Sequence, residues 1–204
     1  MLYGLLAYHS NRLGYLTYPW DYYDAKETVC SSCGRSVNSL QLQYWPPHFS
    51  LEEGKRYPDC LDVVVPFQDK CGMILSEKAL CTFQMADIRG FDYEPVRVSN
   101  APDMPNYYYI YVRGSISLDY KSMHYRKKNV CPECGQYTWS RQRIGESALD
   151  YASWDGSDIC KLAEYPNKFV CTEKVIDVIK KNHLKGFART SEQDIFRTLK
   201  AEKL

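Results

Sequence analysis

The chain has 204 residues, is 45% hydrophobic and carries a formal net charge of +1 at pH 7. That length and apolar share suit one domain or two small ones with a real core, and exclude a disordered tail or a fold that needs stapling. The near-zero charge removes any global case for binding nucleic acid or an anionic membrane, and no stretch approaches the ~20 apolar residues of a spanning helix.

Met1 to Tyr8 and Arg12 to Tyr18 are rich in Leu and Tyr and read as two short strands around the polar turn Ser10-Asn11. The first is apolar without a basic leader, so no signal peptide is expected. Pro19 to Lys26 is aromatic and acidic and leads into Cys30-Ser31-Ser32-Cys33-Gly34. Ser36 to Tyr44 is a further strand candidate. Trp45-Pro46-Pro47-His48 interrupts regular structure and marks a loop.

An internal repeat follows. Ser76-Glu77-Lys78 precedes Gly90-Phe91 at the same spacing at which Thr172-Glu173-Lys174 precedes Gly186-Phe187. Ile74 matches Val170, and Ile88-Arg89 matches Leu184-Lys185. Asp59-Cys60 and Asp158-Ile159-Cys160 stand upstream of the two copies at different distances. Such a match predicts one strand–helix–strand unit used twice, packed about a pseudo-twofold axis. Ser76 and Thr172 are the expected N-caps, with Glu77 and Glu173 at the positive helix ends. Ala79, Leu80 and Phe83 form one buried face; Val175, Ile176 and Ile179 form the other. Asn182 is expected in the left-handed C-terminal position, a role Ala86 fills less well. Gly90 and Gly186 are expected to restart extended chain.

Asn100 to Asn106 is proline-rich and reads as a linker. Tyr107 to Arg113 and Ser115 to Lys121 follow as a hairpin or as one long strand kinked at Gly114. Ile116, Leu118 and Tyr120 should share a face. Next comes Cys131-Pro132-Glu133-Cys134-Gly135, then Tyr137 to Arg143 as a strand and Trp154-Asp155-Gly156-Ser157 as a turn. Ser191 opens a last helix carrying Ile195, Phe196 and Leu199, with Asp194 three residues after the cap.

The two CxxCG knuckles carry the strongest chemical signal. Each places two thiolates on one turn, and the glycine permits the positive φ that turns backbone N–H groups towards sulfur. Together Cys30, Cys33, Cys131 and Cys134 supply the closed tetrahedral set of a structural Zn2+ site. Closing a loop of roughly a hundred residues costs about 4 kcal/mol, while structural zinc contributes about 10–16 kcal/mol. Local disulfides and redox-active CxxC pairs are the alternatives. Cys60, Cys71, Cys81, Cys160 and Cys171 lie among apolar residues and are expected to pack as free thiols, which suits a cytoplasmic location.

Catalysis is not expected. His9, His48, His124 and His183 sit in no ligand or triad pattern, and no phosphate loop or GxSxG motif is present. Cys160 or Cys171 with His183 or His124 would be the one nucleophilic pairing, outweighed by packing roles. The basic runs Arg126-Lys127-Lys128 and Lys180-Lys181 read as solvated faces. Eighteen tyrosines are more informative. Tyr107, Tyr109 and Tyr111, in the densest cluster, are the candidates for gripping a protein partner.

Both knuckles resemble those of the double-CxxCG immunity proteins of bacterial polymorphic toxin systems. So does the stretch from Asp158 to Phe187, with Asp158-Ile159, Tyr165-Pro166, Val170, Thr172-Glu173-Lys174 and Leu184-Lys185-Gly186. The resemblance covers about half the chain. The first repeat copy, Ser76 to Phe91, also looks like units of related immunity families. Cys160 and Cys171 depart from it, standing where an aromatic or aliphatic residue is expected. It implies a non-enzymatic inhibitor that binds a cognate toxin protein and shields the producing cell in bacterial competition, with the knuckle cysteines as zinc ligands. No toxin-contacting residue carries over.

The expected fold is α+β, with mixed and antiparallel sheets, a few short helices, the internal strand–helix–strand repeat and a four-cysteine zinc knuckle pair. An N-terminal half, 1–100, and a C-terminal half, 101–204, would be joined by the metal. The competing readings are a zinc-ribbon nucleic-acid-binding module, using Arg126, Lys127, Lys128, Arg141 and Arg143, and a thiol oxidoreductase.

Overall fold

The computed structural model describes residues 1–7, 16–17, 23–42, 48–51, 57–62, 72–99, 106–122, 127–135, 137–139, 149–195 and 202–204. In chain order the strands begin with β1 (Leu2–Ala7), β2 (Leu16–Thr17), β3 (Tyr23–Val29), β4 (Ser36–Leu42), β5 (His48–Leu51), β6 (Cys60–Asp62) and β7 (Gly72–Ser76). Helix α1 (Glu77–Met85) leads to β8 (Phe91–Ser99), β9 (Tyr107–Val112), β10 (Gly114–Leu118), β11 (Lys127–Lys128), β12 (Thr138–Trp139) and β13 (Leu149–Asp150). Then come β14 (Ile159–Leu162), β15 (Tyr165–Thr172), α2 (Glu173–Lys181), β16 (Phe187–Thr190) and β17 (Glu202–Lys203). The fold is α+β. A seven-stranded sheet runs β13-β10-β14-β15-β1-β16-β17, a six-stranded one β2-β5-β8-β9-β7-β6, and β3-β4 and β11-β12 are separate ribbons.

The repeat is structural. Antiparallel strands β6-β7-β9-β8 form the heart of one sheet, and β14-β15-β1-β16 form the heart of the other. Ser76 pairs with Tyr107 as Thr172 pairs with Leu2, and Phe91 pairs with Val112 as Phe187 pairs with Ala7. The middle strand comes from opposite sides of the sequence: β9 follows β8, whereas β1 precedes β14. The two units are circular permutations of each other, and strand pairing crosses residue 100 in both directions.

The helices form for the reasons their sequence offers. Ala79, Leu80 and Phe83 are buried on α1, and Val175, Ile176 and Ile179 on α2. The Ser76 hydroxyl accepts from the Ala79 N–H at 3.2 Å, as an N-cap should. Thr172 occupies the same place, but its hydroxyl makes no cap bond and donates instead to Asp158.

Both helices end alike. The N–H groups of Ile88 and Leu184 reach back to the carbonyls of Phe83 and Ile179 at 3.0 and 3.1 Å. Asp87 and His183 bond to Gln84 and Lys180, completing two Schellman motifs. The left-handed residues are Asp87 (φ 49°) and His183 (φ 50°), one position beyond the expected Asn182. Gly90 and Gly186 are also at positive φ, not extended.

Two aspartates lock the units together reciprocally. Asp59 accepts from the Ser76 hydroxyl at 2.7 Å in its own unit and from the Lys185 N–H at 2.7 Å in the other. Asp158 accepts from the Thr172 hydroxyl at 3.0 Å and from the Arg89 N–H at 3.0 Å. Lys78 and Lys174 stand beside these carboxylates at 3.9 and 3.2 Å. Each glycine after a helix presses on the opposite unit: a Cβ on Gly90 would meet the Ile159 carbonyl, and one on Gly186 the Cys60 carbonyl. The main core draws on both units, with Phe83 against Phe187 at 5.9 Å between ring centroids.

β9 and β10 do not pair with each other. They are one long strand that changes sheets at Arg113, so the kinked alternative holds. Ile116 and Leu118 are buried on the predicted face. β1 and β2 join different sheets. The expected last helix is, where described, a short 3-10 turn over Glu192–Asp194, and the Ser191 hydroxyl donates to the Asp194 carboxylate at 3.0 Å. The Ser10-Asn11 turn, the Trp45-Pro46-Pro47 loop, residues 100–105 of the linker, Arg141, Arg143, Phe196 and Leu199 lie outside the described residues.

Candidate metal centre

Each knuckle is the turn of a β-ribbon. β3 and β4 pair from Tyr23 with Leu42 up to Val29 with Ser36, and the chain between them carries Cys30 and Cys33. β11 and β12 pair Lys127 with Trp139 and Lys128 with Thr138, with Cys131 and Cys134 between them. The two turns share one geometry. The Gly34 N–H donates to the Cys30 carbonyl at 2.9 Å, and the Gly135 N–H to the Cys131 carbonyl at 3.0 Å. Both glycines are left-handed, φ 66° and 70°, as the sequence predicts.

The knuckles meet face to face. The Cys30 and Cys131 sulfurs are 3.8 Å apart, those of Cys33 and Cys134 are 3.7 Å apart, and all four lie within 4.8 Å of one another. A tetrahedron with metal–sulfur bonds of about 2.3 Å has edges of about 3.8 Å. Disulfides would require about 2.0 Å; all four cysteines are free. The donor set and its spacing fit a metal ion with four protein ligands and no open position.

The backbone N–H groups of Cys134 and Glu133 hold the Cys131 thiol down to about 6, which favours the thiolate a metal needs. At Cys30 the N–H groups of Cys33 and Ser32 pull the same way, but burial and the Cys33 thiol outweigh them and leave that thiol raised, as expected where close sulfurs without an ion between them cannot all ionise. Cys30 and Cys131 face inward; Cys33 and Cys134 are half-buried. Around the quartet, the Ser31 hydroxyl donates to the Glu133 carboxylate at 3.0 Å and Arg35 Nη2 to the Asn129 carbonyl at 3.2 Å. These exposed bonds are worth about 1 kcal/mol each at most, so four metal–sulfur bonds would dominate the joint.

Other candidates go elsewhere. Tyr107 and Tyr109 are each 1% exposed, which corrects their assignment as surface anchors. Strand alternation sends both rings into the core, where the Tyr107 hydroxyl donates to the Pro58 carbonyl at 2.8 Å. Tyr111 shares that face but lies towards its edge, half-buried, with its hydroxyl on the Glu94 carboxylate and its ring 4.7 Å from that of Tyr109.

Cys60, Cys160 and Cys171 are buried as expected, and Cys81 is exposed on α1. Burial pushes the Cys160 thiol up to about 12 and raises Cys171 as well, which leaves neither as a nucleophile. His183 is an exposed helix-terminal residue, and His48 opens β5. His9, His124, Cys71 and Arg126 lie outside the described residues. Among the described residues, the quartet is the one group of three or more His, Cys, Asp or Glu placed to share an ion. No described helix is long and apolar enough to cross a membrane. Neither a known protein family nor a curated protein matches this chain.

In the sequence Asp59 and Asp158 stand only as upstream echoes of the repeat. Their identical chemistry, an Asp one residue before a strand in each copy, was the available signal for the reciprocal lock.

Proposed function

We propose that this protein is an immunity protein: it binds a cognate bacterial toxin, occludes it, and uses Zn2+ only to hold its own scaffold. The observation that carries the reading is the meeting of the two CxxCG knuckles in one four-sulfur quartet. Four thiolates at tetrahedral spacing favour zinc over harder cations. With every ligand position taken by protein, the ion has no place for a water or substrate and supplies structure, not catalysis. That leaves function to the surface, as the resemblance to double-CxxCG immunity proteins implies. The exposed Val29 and Val130, each just before the first cysteine of a knuckle, place apolar groups beside the metal and suit a protein partner better than a polyanion.

The test has two parts. Purified chain should hold one zinc per molecule, and Cys30→Ser with Cys131→Ser should lose it. Cells expressing the toxin encoded beside this gene should survive when the chain is co-expressed. Folded protein without metal would overturn the scaffold; unprotected cells would overturn the toxin reading. Salt-dependent binding to RNA or DNA would favour the zinc-ribbon alternative.

A further inference from the structure

The pseudo-twofold relation exposes a difference at one sheet edge. In the second unit, β16 is covered on its outer side by β17: Ala188 pairs with Lys203 and Arg189 with Glu202, and the Leu204 N–H donates to the Phe187 carbonyl at 3.1 Å. Arg189 closes that strand with a 2.9 Å bond to Glu202, and Leu204 packs against the main core. The equivalent strand of the first unit is β8, with Phe91 and Tyr93 in the places of Phe187 and Arg189. Among the described residues, no strand pairs with β8 before Arg97, where β5 joins it.

The direction of the backbone is fixed. The Gly90 carbonyl accepts from Arg113, on the β9 side, so the N–H and C=O groups of Phe91 and Tyr93 point outward by antiparallel alternation. Pro95 also falls on the outward side, where a missing N–H breaks no bond to β9. The outward side chains of this edge are apolar and open: Tyr93 is 47% exposed, and Phe91 is half-buried where Phe187 is fully covered. Tyr93 stacks edge-on against Tyr108 at 5.9 Å.

We infer that the Phe91–Tyr93 edge of β8 is a docking site for an extended strand of a second protein, added antiparallel as β17 is added to β16. The internal copy specifies the occupant. An apolar side chain takes the place of Leu204, beside Phe91. Opposite Tyr93, where Arg189 selects Glu202, an aromatic or apolar side chain replaces the acid. Asp92, standing where the other unit has Ala188, lies on the opposite face of the strand and is paired with Arg113 at 2.7 Å, so the choice opposite Tyr93 rests on Tyr93 itself. The geometry holds whether or not the second protein is a toxin.

The probe is a synthetic heptapeptide with the sequence of residues 198–204, together with its Glu202→Tyr version, titrated into the full chain while backbone amides are followed by NMR. The Glu202→Tyr peptide should shift the Phe91 and Tyr93 amides and bind about threefold tighter than the parent. In a Tyr93→Arg chain the preference should reverse; in a Tyr93→Pro chain both peptides should lose binding. Tyr93→Arg removes no N–H, so it decides the matter even where Tyr93→Pro fails to fold. The inference is overturned by unmoved amides at millimolar peptide, by binding that survives Tyr93→Pro in a folded chain, or by a preference that Tyr93→Arg leaves unchanged. It is also overturned if the Phe91 and Tyr93 amides of the free chain exchange with solvent as slowly as those of Phe187 and Arg189.

Discussion

His183 and Asp87 hold left-handed backbone without being glycine, at a cost of about 1 kcal/mol each. Asp87 recovers part of that through Arg89, at 2.6 Å; both groups are exposed, and the pairing holds the Asp87 carboxyl below its ordinary range. Among the described residues, none bonds to the His183 side chain. His183→Gly should therefore stabilise the chain by about 0.5–1 kcal/mol in urea unfolding, whereas Asp87→Gly should gain less. Gly186 is the opposite case. Its φ of 90° and the Cys60 carbonyl 2.6 Å from where a Cβ would lie make Gly186→Ala costly, by about 3 kcal/mol or more. At this scale the sequence was informative where one residue type has one use. The knuckle glycines and buried helix faces were legible for that reason. Tyrosine has several uses, so Tyr107 and Tyr109 could be placed on a strand but not on its correct face.

The two helices look interchangeable until their caps are compared. The Ser76 hydroxyl accepts from the Ala79 N–H and donates to Asp59, whereas the Thr172 hydroxyl only donates, to Asp158. Ser76→Ala should thus destabilise by about 2 kcal/mol and Thr172→Ala by about 1 kcal/mol. Equal losses in denaturant melts would contradict this cap assignment. The strand–helix–strand unit was readable because its spacing is gapless and its apolar faces keep helical period. The strand at the centre of each unit was not. β9 and β1 share a structural position but little sequence, since Tyr107 matches Leu2 and Tyr109 matches Gly4, and a permuted order hides the match from any search for repeats in line. Pairing partners come from long-range hydrogen bonding, which local pattern does not encode.

Across the whole molecule, the four-cysteine joint and the paired units are separate devices. The quartet ties ribbon β3-β4 to ribbon β11-β12, while the aspartate lock and shared core tie the units. Chelation should release amides around 127–139 to rapid hydrogen exchange and leave those of β15, α2 and β16 protected. Simultaneous exchange of both regions would contradict the separation. Acid should act on the joint first. The Cys131 thiolate, held down to about 6 from an ordinary 9.0, is present above that pH and protonates below it. A bound metal resists that protonation, so metal content measured against pH should hold at pH 6, fall only at a lower pH, and recover on return.

The permuted order also makes the chain a natural candidate for complementation. Cleaved between residues 100 and 106, it gives two fragments, each carrying the middle strand of the other's sheet. Neither piece can close its own hydrogen-bond ladder in isolation. Mixed together, they are bound to reassemble, and a nicked molecule keeps its shape because its severed parts are hostages to one another.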